Sequence, residues 1–152
     1  MDFVHAQVTH SFPASAEQVF DAWLSPELVA QWMSATLRSH GLTGEMRRVE
    51  INPQVGGRFV FSDMRNGVET AHWGTYQVID RPRKLVFSWF TSPEAETEAA
   101  SLVTINIQSA GTGSLVTLVH RMPAAYADYV ERTEKSWGRM MDHIESLILS
   151  TR

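Results

Sequence analysis

The chain of 152 residues contains no cysteine. That excludes disulfides, thiolate metal sites and thiol nucleophiles, and it fits a cytoplasmic setting. It also lacks a basic run. Lys and Arg number 13 against 17 Asp and Glu, a formal net charge of −4. The densest basic cluster, Arg81, Arg83 and Lys84, reads as a turn. Nucleic-acid recognition calls for a basic face or stripe, so no nucleic-acid partner is expected. No apolar run approaches the roughly 20 residues of a membrane helix, so no membrane insertion is expected. Met1-Asp2-Phe3-Val4-His5 has neither the basic patch nor the apolar run of a signal peptide. There is no Gly-x-Ser-x-Gly elbow and no phosphate loop, and no histidine pair has the spacing of a helical zinc motif. Neither a metal nor a cofactor is expected.

What is present is a pattern of periods. Val4, Ala6, Val8, His10 and Phe12 alternate along a first strand. Ser15 and Gln18 form a capping-box pattern ahead of Val19, Phe20, Trp23 and Leu24, which recur at helical spacing. Ser25-Pro26 breaks this helix, and Pro26 opens a second short one bearing Leu28, Val29, Trp32 and Met33. Ser34 to Glu45 is polar and glycine-bearing and reads as a loop. Strands follow over 46–52 and from Arg58, with Phe59 and Phe61 on one face. Asn66-Gly67 is a strong hairpin signal, leading into a strand over 68–79 with Gly74 at its centre. The spacing then predicts strands over 85–91, 102–108 and 115–121, with a loop over Ser92 to Ala100. Gly111-Thr112-Gly113 is a hairpin turn. After Pro123 the period becomes about 3.6, and one stripe joins Tyr126, Val130, Trp137, Met140, Met141, Ile144, Leu147 and Ile148 over a helix of about 25 residues. Successive hairpins make an antiparallel sheet, and the last helix must pack across it. This is an α+β arrangement in one domain, a length that sustains a core without staples.

The carrying motifs are specific in combination. Val19-Phe20-Asp21-Ala22-Trp23 with Pro26-Glu27-Leu28 and Trp32 looks like a family's first-helix signature. Asn52-Pro53-Gln54-Val55-Gly56-Gly57-Arg58-Phe59 looks like its strand start. Gly74-Thr75-Tyr76, Pro82 and Leu85-Val86-Phe87-Ser88-Trp89 look like its central hairpin. Thr117-Leu118-Val119-His120 and Trp137-Gly138 look like its last strand and final helix. Together they resemble the START and birch-pollen-allergen (SRPBCC) superfamily, in the bacterial branch related to the C-terminal domain of the heat-shock ATPase activator. The resemblance implies a helix-grip fold: a curved antiparallel sheet of six or seven strands wrapped around a long C-terminal helix, with two short helices after the first strand. Met33 stands where the family often has a second aromatic. The fold carries lipid binders, hormone receptors, cyclases and co-chaperone domains, so it does not fix the function.

Each candidate residue has a plain alternative. His120 shares a face with Val116 and Leu118 and points at the helix. It is either a hydrogen-bonded core histidine or a ligand donor or general base. Tyr76 is the other proton-transfer candidate. His72 and Glu69 face opposite sides of one strand and are not a pair. His10 faces inward with no acidic partner apparent in the sequence, and His143 with Asp142 falls on the outer edge of the last helix. Arg47, Arg48 and Arg58 are solvated faces or charges at a pocket mouth. Trp32, Phe61, Tyr76, Trp89, His120, Trp137 and Met141 are expected to line a cavity between helix and sheet. The sequence favours a protein that binds a small hydrophobic or aromatic molecule there. One alternative is a cyclase- or dehydratase-like enzyme working by confinement and a pocket His120 or Tyr76. Another is an interaction module akin to the heat-shock activator, with a chaperone as partner. Homodimerisation is compatible with all three.

Overall fold

The protein is described by a computed structural model over residues 2–98 and 101–150. Seven strands form one antiparallel sheet in the order β1-β7-β6-β5-β4-β3-β2. They are β1 (Phe3–Phe12), β2 (Met46–Ile51), β3 (Arg58–Arg65), β4 (Val68–Asp80), β5 (Lys84–Ser88), β6 (Leu102–Ala110) and β7 (Gly113–Pro123). Helices α1 (Ala16–Leu24) and α2 (Pro26–Ser39) follow β1. A short α3 (Pro93–Glu98) precedes β6, and α4 (Val130–Ser150) closes the chain after a 3₁₀ segment at Ala124–Tyr129. The architecture is the α+β helix grip that the motifs imply.

Local chemistry explains the joints. Ser15 caps α1 through the reciprocal Ser15–Gln18 box. Ser25 is at once the C-cap of α1 and the N-cap of α2, with Pro26 in the first turn. Asn66 and Gly67 have φ of 52° and 79°, the twist-matched turn between β3 and β4. Gly74 is fixed by a close approach. A Cβ there would sit 2.0 Å from the carbonyl oxygen of Ser88, whose hydroxyl also receives the Thr75 amide at 2.9 Å. What approaches the mid-strand glycine is thus the chain's own β5, and the β4–β5 ladder shifts register just beyond, between Tyr76 and Val78.

Four sequence expectations are corrected. Ser34 to Glu45 is not a loop throughout: α2 runs on to Ser39, because Thr36 and Leu37 extend the buried stripe of Val29, Trp32 and Met33. The Thr36 hydroxyl bonds back to the Trp32 carbonyl at 2.8 Å, and Ser34 Oγ donates to the Gly44 carbonyl at 2.7 Å, folding the remaining loop onto the helix. Within the expected loop over Ser92 to Ala100, residues 93–98 are helical; Ala99 and Ala100 lie outside the described residues. Regular pairing of β5 stops at Ser88, after which Phe90 makes a single bridge to Trp73. The last helix is not one piece. The chain kinks at Tyr126 (φ −97°, ψ 18°), so Tyr126 leaves the stripe and is 43% exposed.

The core lies between the concave sheet face and the helices. Trp137, Met141, Ile144 and Ile148 of α4 meet Phe59, Phe87, Val103, Ile105, Val116 and Leu118 from the sheet. Aromatic rings fill one end: Trp23 lies 5.4 Å from Trp32 and 6.1 Å from Trp137, and Trp137 lies 5.1 Å from Trp89. Such offset and edge contacts are favourable beyond their buried area.

Candidate ligand cavity

The cup is filled at one end and open at the other. Beyond the aromatic cluster a cavity of about 400 Å³ lies between Trp89 and His72 of the sheet side, His120 and Met122 of β7, the 3₁₀ segment, and Arg132, Ser136, Trp137 and Met140 of α4. A second cavity of about 220 Å³ shares the wall of His72, Trp89, Ser136 and Met140 and reaches α2 at Met33 and Leu37. Three expected lining residues, Trp89, His120 and Trp137, border the larger cavity. The other four stand elsewhere. Phe61, Tyr76 and Met141 are 5%, 3% and 0% exposed and belong to the packed core. Trp32 is packed beneath an outer groove between α2 and α4, its indole nitrogen donating to the Ala22 carbonyl at 2.9 Å. The physical reason is that phenyl and indole rings on the tight part of the curved sheet touch one another. Phe59, for example, lies 4.9 Å from Phe61 and 5.3 Å from Tyr76.

His120 is held at both ring nitrogens. Trp137 Nε1–H donates to Nδ1 at 3.1 Å, and Nε2 is 2.8 Å from Ser101 Oγ. Burial pushes its pKa down to about 4, so the ring is neutral at pH 7. An indole N–H only donates, so Nδ1 must accept, and the imidazole proton sits on Nε2 and points at Ser101. With both nitrogens engaged, His120 has no free lone pair for general-base work. Burial raises the Tyr76 phenol above its ordinary range, and Tyr76 is packed in the core rather than among the residues that border the cavity.

His72 is the less obvious histidine. It pairs across the ladder with Phe61, stacks on Trp89 at 4.9 Å, and borders both cavities. Its Nδ1 is buried without a hydrogen-bond partner. Burial, with Arg65 second, lowers its pKa to about 4, so it too is neutral. Glu69 lies on the other face, where it accepts the Ser62 hydroxyl at 2.6 Å. The sequence places 72 and 76 on one face; the period of two alone could have put His72 with the lining residues. The α4 contributors Ser136 and Met140 are signalled by their four-residue spacing beside the Trp137–Met141 stripe. Ser101 and Arg132 carry no pattern at all.

Other candidates settle outside the cavity. His10 does have acidic partners: Nε2 is 2.8 Å from Glu145 and Nδ1 is 3.7 Å from Asp142, both on α4. A helix brought across β1 supplies partners that strand-level reading cannot see. Arg58 lies on the convex face beside Arg48, Glu50 and Trp73. Among the described residues no group of three or more His, Asp or Glu is arranged to hold a metal ion, and no helix is long and apolar enough to cross a membrane.

A curved sheet gripping a long helix, with a cavity at one end, defines the SRPBCC class of helix-grip proteins. Residues 13–148 match the family model for activator of Hsp90 ATPase homolog 1-like protein, and the chain belongs to that family. Solved structures share the fold across nearly the whole length. Protein SA2116 of Staphylococcus aureus superposes with a TM-score of 0.80 at 16% identity, covering 99% of this chain and 96% of that one. A Rhodobacter sphaeroides protein gives 0.80 at 17%, covering 99% and 100%. ChR145 of Cytophaga hutchinsonii gives 0.75 at 21%, covering 99% and 98%. At such identities the likeness establishes the fold alone. No curated protein matches the sequence significantly. Family and fold together support ligand binding or protein interaction as the class of role.

Proposed function

We propose that this protein binds a small planar apolar or aromatic molecule in the cavity between the start of α4 and the sheet. The observation that carries this reading is the 400 Å³ space whose wall is mainly apolar, built on Trp89, Trp137, Met122 and Met140, with Ser101, Arg132 and other polar side chains around them. A mainly apolar wall with polar groups that can orient a ligand is the usual form of a small-molecule site, and this volume falls in the usual range. Methionines on facing walls let such a site adapt to related shapes. Burying about 200 Å² of apolar ligand surface at about 25 cal/mol per Å² supplies about 5 kcal/mol before entropic costs. That suits a ligand with further anchoring or one present at high concentration. An enzymatic role of the cyclase kind has less support, because His120 lacks a free nitrogen.

The test is a thermal-shift screen of hydrophobic and aromatic compounds with tryptophan fluorescence read in parallel. Binding to the native state alone raises the melting temperature with the logarithm of ligand concentration. We expect concentration-dependent upward shifts with quenching that is lost in Trp89→Phe. If nothing shifts at millimolar concentration, the cavity is not a ligand site. A pull-down for a chaperone partner then becomes the informative experiment.

A further inference from the structure

The proposed ligand site carries a polarity of its own. Its hydrogen-bond chain runs in one direction. Trp137 Nε1–H can only donate, which fixes His120 as acceptor at Nδ1 and donor at Nε2, which in turn makes Ser101 Oγ an acceptor. The Ser101 hydroxyl therefore keeps its own proton to give. Among the described residues Ser101 Oγ has no other partner, and Ser101 borders the cavity. Three groups in series thus end in a donor presented to the open space. Hydrogen bonds in a chain polarise one another, so this terminal O–H is a stronger donor than an isolated serine.

The charge on the wall has the same sense. Among the described residues that border the two cavities none is Asp or Glu, while Arg132 borders the larger one and Arg65 the smaller. Arg65 is spoken for by Asp63, which it grips through two bonds of 2.7 and 3.2 Å. Arg132 is not: its guanidinium lies 5.4 Å from the Tyr129 ring centroid, and none of the ion pairs among the described residues involves it. It stands exposed at the cavity rim. The terminal Ser101 donor and a cation outside every ion pair among the described residues are matched by a group that accepts hydrogen bonds and carries negative charge.

We propose that the ligand is an aromatic carboxylate, its ring held against Trp89, Trp137 and His72, its carboxylate receiving the Ser101 hydroxyl with Arg132 supplying the countercharge. Ser101 is then a specificity residue for the acceptor, positioned by His120 and Trp137. This inference rests on the binding reading above and narrows it.

The experiment is isothermal calorimetry at pH 7 with three probes of one ring system: 2-naphthoate, 2-naphthylmethanol and 2-naphthylamine. Wild-type protein is expected to bind the carboxylate about tenfold more tightly than the alcohol, and the amine no better than the alcohol. Ser101→Ala and Arg132→Gln should each erase about fivefold to tenfold of the carboxylate's affinity and leave the alcohol within twofold. Ser101→Thr, which keeps the hydroxyl, should restore carboxylate binding. Melting curves establish that each variant is folded. If the alcohol or the amine binds as tightly as the carboxylate, the carboxylate assignment fails while the ligand-site reading stands. If Ser101→Ala weakens all probes equally, Ser101 only supports His120 and the proposal is overturned. If none of the three probes binds, the proposal falls together with the ligand-site reading.

Discussion

The indole N–H of Trp137 donates to Nδ1 of His120 across 3.1 Å, tying the face of α4 that grips the sheet to the inward face of β7. Both side chains are almost wholly buried, at 3% and 6% exposed. A buried acceptor that loses its only donor keeps its desolvation penalty. Trp137→Phe should therefore destabilise by about 2–4 kcal/mol, combining lost ring volume with the orphaned Nδ1. His120→Phe removes the acceptor but strands the indole N–H, and about 1–3 kcal/mol is expected. Urea melts of the two single variants and the double variant check this. The double variant should lose clearly less than the sum, since the two share one bond.

Acid should unfold the protein through two neutral histidines, buried His120 and half-buried His72. His72 and His120 have folded pKa values lowered to about 4, from an ordinary 6.5. Between those values the unfolded chain binds the extra protons, so stability falls as pH drops from about 6.5 toward 4. At full effect each group accounts for about 3 kcal/mol, and below about 4 the loss levels off for both. Chemical denaturation from pH 7.5 to 4 reads the slope. His72→Phe, which keeps the stack on Trp89, should flatten it.

Gly74→Ala should be among the most damaging single-methyl changes in the chain. The new Cβ would meet the Ser88 carbonyl oxygen at 2.0 Å, and the obstacle is backbone in the central sheet. A loss of about 3 kcal/mol or more is expected. Gly67→Ala meets nothing within 4 Å but has a φ of 79°, and about 1 kcal/mol is expected from strain alone. Thermal melts of the pair separate close approach from conformational strain.

Ser136→Trp tests whether the space itself matters. Ser136 borders both cavities, and it is half-buried on α4 rather than locked in the core. An indole there should fill the opening and reduce binding of any hydrophobic probe at least tenfold. The melting temperature should hold or rise, since an apolar gap is being filled. Fluorescent-probe titration beside a melt measures both.

Much of the sheet is legible from period two and from turn chemistry, because each strand buries one face and Asn66-Gly67 marks its own turn. The filled end of the cup is less so. Phe61 and Trp89 both face inward, but only the curvature decides that Phe61 packs into the core while Trp89 borders open space. The continuation of α2 through Ser34, Thr36 and Ser39 was hidden because hydroxyl residues favour caps and turns. Here those of Thr36 and Ser39 bond locally to the carbonyls of Trp32 and Thr36. The His10 partners Asp142 and Glu145 sit on an element far along the chain, and local pattern carries no record of that meeting.

Strand β1 pairs with β7, so that Phe3 stands opposite Pro123, whereas each other ladder joins strands consecutive in sequence. Five hairpins can zip by short searches. The sixth pairing needs the first and the last strand of the chain to find each other, and loop closure over such a span is the slow part of assembly. Until it happens, β7 is an open edge and the aromatic concave face lacks the side of the barrel-like cup that carries α1 and α2. The folding rate of this protein is thereby set by one distant encounter, and the interval before it is when the chain is most open to aggregation.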